Sequence, residues 1–109
     1  RGADNKIYNN PGFDNYTVLS TWDTYRTAHS LFILTQPEKV DDFVNTMLAI
    51  NDEQGYLPIW HLNGNETKTM VGISSLQIVA EAYLKGIEGF DAERAYKAIN
   101  QHRWPTLKV

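Results

Sequence analysis

The sequence predicts an all-α fold of antiparallel neighbouring helices from two observations. A 3.6-residue apolar period runs through most of the chain after residue 20, and Pro, Gly and Asp stand where helices begin and end. Four helices are expected, near residues 21 to 35, 38 to 53, 68 to 85 and 91 to 102, with no substantial sheet. Ahead of them, residues 1 to 19 read as loop: Gly2 to Asn5, Asn9 to Gly12 and Asp14 to Asn15 are turn-prone clusters, and Tyr16 to Leu19 is a short extended piece.

Ser20 or Thr21 caps the first helix, with Asp23 in its first turn at the positive end of the dipole. Trp22, Tyr25, His29 and Phe32 or Ile33 share one face, and the helix stops near Gln36 because Pro37 disfavours helical geometry in the residue before it. Pro37 opens the second helix with Glu38 behind it. There Val40, Phe43, Val44, Met47 and Leu48 oppose Lys39, Asp41, Asp42 and Asn45, and Gly55 ends it in a left-handed cap. The third segment, Met70 to Leu84, is apolar on nearly every face and so expects neighbours all round it. Gly86 and Gly89 end that segment. Asp91 caps the fourth helix, whose buried stripe is Ala92, Ala95, Tyr96 and Ile99, with Phe90 stapled onto Ala95.

At 109 residues the chain is one domain at most, or a piece of something larger, and an opening Arg without Met favours a fragment or a processed chain. A net charge of -3 with no Lys/Arg cluster argues against nucleic acid as a partner. No apolar run approaches bilayer-spanning length, so no membrane partner is expected. With no cysteine there is neither a disulfide framework nor a thiolate metal site. His29, His61 and His102 lack metal-ligand spacing, and no metal ligand is assigned within the chain.

Between the second and third helices lies GYLPIWHLNGNETKTM, residues 55 to 70, longer and richer in aromatic and polar groups than a simple helix connection. A Trp, a Tyr, a His and a carboxylate suit a concave site that stacks on a flat ligand and hydrogen-bonds its edge. The competing reading is a packed loop in which Trp60 and Leu57 plug the core and Glu66 caps the next helix. Trp22, Asp23 and Arg26 offer a similar set within one helical turn: an aromatic face for a sugar ring, with a carboxylate and a guanidinium for its hydroxyls. The plainer alternative there is a core Trp22 beside an Asp23–Arg26 surface pair worth a few tenths of a kcal/mol.

Three ordered stretches, STWDTYRTAHSLFILTQPEKVDDFVNTML, GYLPIWHLNGNETKTMVG and IVAEAYLKGIEGFDAERAY, together with the opening RGAD, resemble the catalytic domain of the family 92 glycoside hydrolases. That family comprises calcium-dependent, exo-acting α-mannosidases. The likeness covers residues 1 to 98 and implies a partial catalytic domain over residues 1 to 109, a slice of an (α/α)6 barrel. It further implies inverting hydrolysis of terminal α-mannosides on a mannose-containing glycan, with calcium held mostly by residues outside this chain, in a periplasmic or secreted parent. Inversion requires a carboxylic acid and a carboxylate base roughly 6.5 to 9.5 Å apart. The resemblance puts the acid in the central loop, at Glu66 or at the position of His61, where many members carry Glu. Glu66, flanked by the apolar surface of Trp60 and Leu62, is the candidate acid, and His61 and Ser74 are departures from the family pattern. If His61 has replaced the acid, the substrate needs a better leaving group, such as a mannose-phosphate linkage, or His61 itself donates the proton. Trp22, Asp23, Arg26, Trp60 and Asn65 are the candidate sugar contacts.

A stand-alone helical interaction module is the alternative from a different class, and a reading frame that stops near Val109 would favour it. As a slice, the fragment should self-associate or pack against the missing barrel helices through its third helix. No inverting base can be assigned within the chain, so the purified fragment should leave p-nitrophenyl α-mannoside intact. Turnover by the fragment alone would contradict this.

Overall fold

The computed structural model describes residues 2–8, 12–62, 65–67, 72 and 74–101. Among them are α1 (Thr21–Thr24), α2 (Ala28–Thr35), α3 (Pro37–Gln54), β1 (His61–Leu62), β2 (Asn65–Glu66), α4 (Ser75–Leu84) and α5 (Ala92–Gln101). The chain is mostly helical, with one small antiparallel sheet that pairs His61 with Glu66 and Leu62 with Asn65.

Helix α3 is the axis on which α2, α4 and α5 pack, while α1 packs against α4. Helix α3 begins at Pro37 and ends at Gly55, whose φ of 92° is the left-handed geometry that its lack of a Cβ permits. Its apolar stripe, Val40, Val44, Met47, Leu48 and Ile50, is buried against Leu57 of the central loop, Ile78, Val79 and Ala82 of α4, and Ala95 and Ala98 of α5. Met47 and Val44 are fully inaccessible. The segment before α1 lies along the same helix: Tyr16 donates its backbone N–H to Thr46 Oγ1 at 3.1 Å and packs edge-on against Phe43. At the far end Asp91 caps α5, accepting the N–H groups of Glu93 and Arg94 at 3.0 and 3.2 Å. Arg94 is ion-paired with Asp52, tying α5 to the end of α3.

Three sequence expectations are corrected. The first helix is two helices, α1 and α2, separated by a turn at Tyr25, Arg26 and Thr27. The stretch TWDTYRT is rich in Thr, whose branched side chain lowers helix propensity. Ser20, just before α1, is moreover held in a bridge with Trp60 that a longer straight helix would have to share. The third helix begins only at Ser75, because Gly72 has a φ of 80° that no right-handed helix accommodates; residues 68–71 and 73 of the expected helix lie outside the described ones. In α5 the buried stripe is Ala95 and Ala98 with half-buried Ile99, while Ala92 and Tyr96 face solvent.

The face of α4 and α5 away from α3 remains open. Leu84 is 80% and Tyr96 67% exposed, and with Tyr83, Val79 and Ile99 they line an apolar groove of about 480 Å³.

His29, expected on the inner face of the first helix, is buried edge-on between Phe32 and Phe43, and its Nδ1 has no hydrogen-bond partner. Burial pushes its pKa from 6.5 down to about 4, with the Glu81 charge acting in the opposite sense. The folded state therefore binds fewer protons than the unfolded chain between those values. Stability should consequently fall as the pH drops from 6.5 towards 4, by up to ~1.4 kcal/mol per pH unit. Urea denaturation across that range should show this slope in the wild type and its loss in His29→Leu; identical slopes would contradict the account.

Candidate functional site

The central loop returns from α3 to the start of α1 and is held there by backbone pairing. His61 donates its N–H to the Leu19 carbonyl at 3.0 Å, and Thr21 donates its own to the Ile59 carbonyl at 3.3 Å. The Thr21 hydroxyl, fully buried, donates to the same Ile59 carbonyl at 2.7 Å. On the other edge the Thr67 N–H and hydroxyl both reach the Trp60 carbonyl, at 3.0 and 2.9 Å. Pro58 and Leu57, both buried, fill the space beneath.

Glu66 organises this loop. Its Oε1 accepts the Ile59 N–H at 2.8 Å and its Oε2 accepts the Trp60 N–H at 2.9 Å, so one carboxylate clamps two consecutive amides. Such charge-assisted bonds are the stronger kind. The residue sits in β2, well before α4, so the expected helix-capping position is replaced by a place in the hairpin. Opposite it in register, His61 brings Nε2 to 3.7 Å from Glu66 Oε1, and both side chains are only 4% exposed. Burial pushes the His61 pKa below the ordinary imidazole range, while the Glu66 and Glu53 charges pull it up.

Alternation along a strand separates the sequence candidates. His61 and Glu66 share the inner side of the hairpin, whereas Leu62, its partner Asn65, and Trp60 belong to the other side. Leu62 is accordingly 42% exposed, and Trp60 and Asn65 are half-buried. The Trp22 set is also rearranged. Trp22 is 43% exposed rather than core, and the Ser20 hydroxyl donates to the Asp23 carboxylate. Arg26 lies in the turn after α1 with its guanidinium over the Tyr25 ring, 5.2 Å from the centroid.

Sequence reasoning missed the groups that support the inner side. Gln54, the last residue of α3, lies 3.1 Å from His61 Nε2 through its Oε1 and donates Nε2–H to the Tyr56 carbonyl at 3.1 Å. Glu53 accepts the Ala3 N–H at 3.0 Å, and a Cβ added at buried Gly2 would meet its carboxylate at 2.7 Å. The opening Gly2-Ala3 thus docks beside the site, which gives a physical reason for a glycine there. The signal for Gln54 was a polar side chain immediately before a left-handed glycine, where a helix end turns back on itself.

Among the described residues no three His, Asp or Glu side chains converge as a metal site.

The catalytic-domain model of glycosyl hydrolase family 92 matches residues 1–106. The chain is similar to the family GH92 alpha-mannosidase BT3965 from Bacteroides thetaiotaomicron, at 46% identity and a TM-score of 0.88, over 93% of this chain and 14% of that one. The same values hold for BT3965 in complex with mannoimidazole. It is also similar to the family GH92 inverting mannosidase BT2199 from Bacteroides thetaiotaomicron VPI-5482, at 33% identity and a TM-score of 0.72, over 77% of this chain and 11% of that one. The chain thus spans a small part of the solved proteins it matches, and among curated proteins none matches it.

Removing the Thr21 hydroxyl tests the coupling between α1 and the loop. Thr21→Val keeps the shape but leaves the Ile59 carbonyl with a single, longer hydrogen bond, so stability should fall by about 1 kcal/mol. A thermal melt unchanged from wild type would show that the hydroxyl does not hold the loop.

Proposed function

The chain belongs to glycosyl hydrolase family 92, and from that premise we propose that it is part of the catalytic domain of an exo-acting α-mannosidase. In this reading the parent removes terminal α-mannose from glycans with inversion, depends on calcium, and acts in the periplasm or outside the cell. The observation that carries it is the superposition of 93% of the chain on BT3965, a mannosidase solved with mannoimidazole bound. The chain forms a slice of an (α/α)6 barrel, and the apolar groove between α4 and α5 receives the parent's next helices. Calcium is assigned mostly to residues of the parent outside this chain, and no step given to this chain runs through it.

Trp60 and Asn65 on the outer side of the hairpin, with Trp22, Asp23 and Arg26 around α1, are the proposed sugar contacts. Glu66 is the proposed general acid. When its proton passes to the glycosidic oxygen, the carboxylate that forms meets two aligned amides, those of Ile59 and Trp60. Fixed donors aimed at developing charge favour the transition state. A carboxyl that carries a proton makes the weaker of these two arrangements, so donation tightens the loop.

One observation favours a second reading. Both Glu66 oxygens accept backbone amides, the side chain is 4% exposed, and it faces the side of the hairpin away from Trp60 and Asn65, which suits an anchor. With Glu66 as anchor, the favoured substrate carries a leaving group that departs without a proton, as in a mannose-phosphate linkage.

Leaving-group dependence separates the readings. On the full-length protein, Glu66→Gln should lower kcat/KM for a mannobioside by roughly 10²- to 10⁴-fold while largely sparing a dinitrophenyl mannoside. Equal impairment on both makes Glu66 an anchor, and a selective loss in His61→Ala instead passes the acid role to His61.

A further inference from the structure

The inner side of the hairpin carries a hydrogen-bond chain whose direction is set by chemistry. Gln54 Nε2 lies 3.1 Å from the Tyr56 carbonyl, which can only accept, so the amide of Gln54 points its nitrogen there. Its Oε1 is thereby turned to His61 Nε2, at 3.1 Å. A carbonyl oxygen has no proton to give, so the proton of this bond sits on His61 Nε2. Glu66 Oε1 is 3.7 Å from the same nitrogen, beyond hydrogen-bond reach, and is already 2.8 Å from the Ile59 amide. The left-handed turn at Gly55, φ 92°, brings Tyr56 back over the end of α3 and makes the first bond of the chain possible.

We propose that Gln54 is a positioning residue that fixes His61 as the Nε2–H tautomer. Nδ1 is then the acceptor of the neutral ring and carries no proton to give. This deepens, and in its substrate part rests on, the mannosidase reading. Nε2–H is spent on Gln54, so His61 orients the loop and leaves proton donation to another group. Glu53 and Glu66 are the carboxylates facing the ring, and Tyr56 is the hydroxyl-bearing neighbour in the turn.

Two arms test the proposal separately from the parent's activity class. In the first, the chain is prepared with its three histidines ¹⁵N-labelled, and long-range ¹H–¹⁵N correlation at neutral pH reads the tautomer, with His61→Ala identifying the signals. Wild type should show protonated Nε2 and unprotonated Nδ1 at His61. Gln54→Leu should give a mixture of tautomers, and Gln54→Glu should keep Nε2–H and raise the titration midpoint of His61. An Nδ1–H tautomer in wild type, or a tautomer unmoved by Gln54→Leu, overturns the assignment.

In the second arm, kcat/KM of the full-length protein is measured on a mannobioside and on a dinitrophenyl mannoside. Gln54→Leu should lower both alike by roughly three- to tenfold, the size of one oriented hydrogen bond, and Gln54→Glu should recover most of the loss with a shifted pH profile. Added to His61→Ala, Gln54→Leu should cause no further loss, because it acts through that ring. Additive losses, or a loss confined to the mannobioside, overturn it. Wild-type protein that cleaves neither mannoside defeats the family-based function instead and leaves the first arm to decide on Gln54.

Discussion

The hydrogen bonds from the Ile59 and Trp60 amides to the Glu66 carboxylate are the constraint on which the rest of the central loop depends. A buried carboxylate without partners is costly enough that a fold avoids it. Here the two amides satisfy it and in return are fixed in direction. Their fixed direction sends the chain back to Leu19 and Thr21, where the next hydrogen bonds form, and those bonds set where α1 begins. One acidic side chain thus couples a loop to a helix start 38 residues earlier in the chain, through the Thr21–Ile59 contact.

What was legible in the sequence was local. Pro37 at the start of α3, Gly55 at its end and Asp91 at the cap of α5 all act within one turn of themselves, and each stands where expected. The buried stripe of α3 follows from spacing alone. What was not legible depends on partners far apart in the chain: the hairpin, the bridge from Ser20 to Trp60, and the break between α1 and α2. For the same reason Glu66 looked like a helix cap: the residue it pairs with, His61, lies on the other arm of the hairpin. Gln54 was visible only as the polar end of a helix. Its partners lie across a glycine turn whose geometry decides which way the amide faces.

The hairpin also shows why residue type is a weaker guide to a site than residue position. Trp60, His61, Asn65 and Glu66 are close in sequence, yet strand alternation divides them into an outer aromatic and amide side and an inner imidazole and carboxylate side. The inner side is buried and hydrogen-bonded, which holds geometry, while the outer side is partly exposed. A sugar-cleaving site needs both, a surface for the ring and a rigid frame beneath it.

Membership of glycosyl hydrolase family 92 turns these features into a claim about chemistry, although the match covers only 14% of BT3965. The most direct measurement is the anomeric form of the mannose first released by the full-length protein from a terminal α-mannoside, followed by ¹H NMR before mutarotation. The account predicts β-mannose, the product of single displacement by water. Release of α-mannose first, or no release of mannose at all, would contradict it.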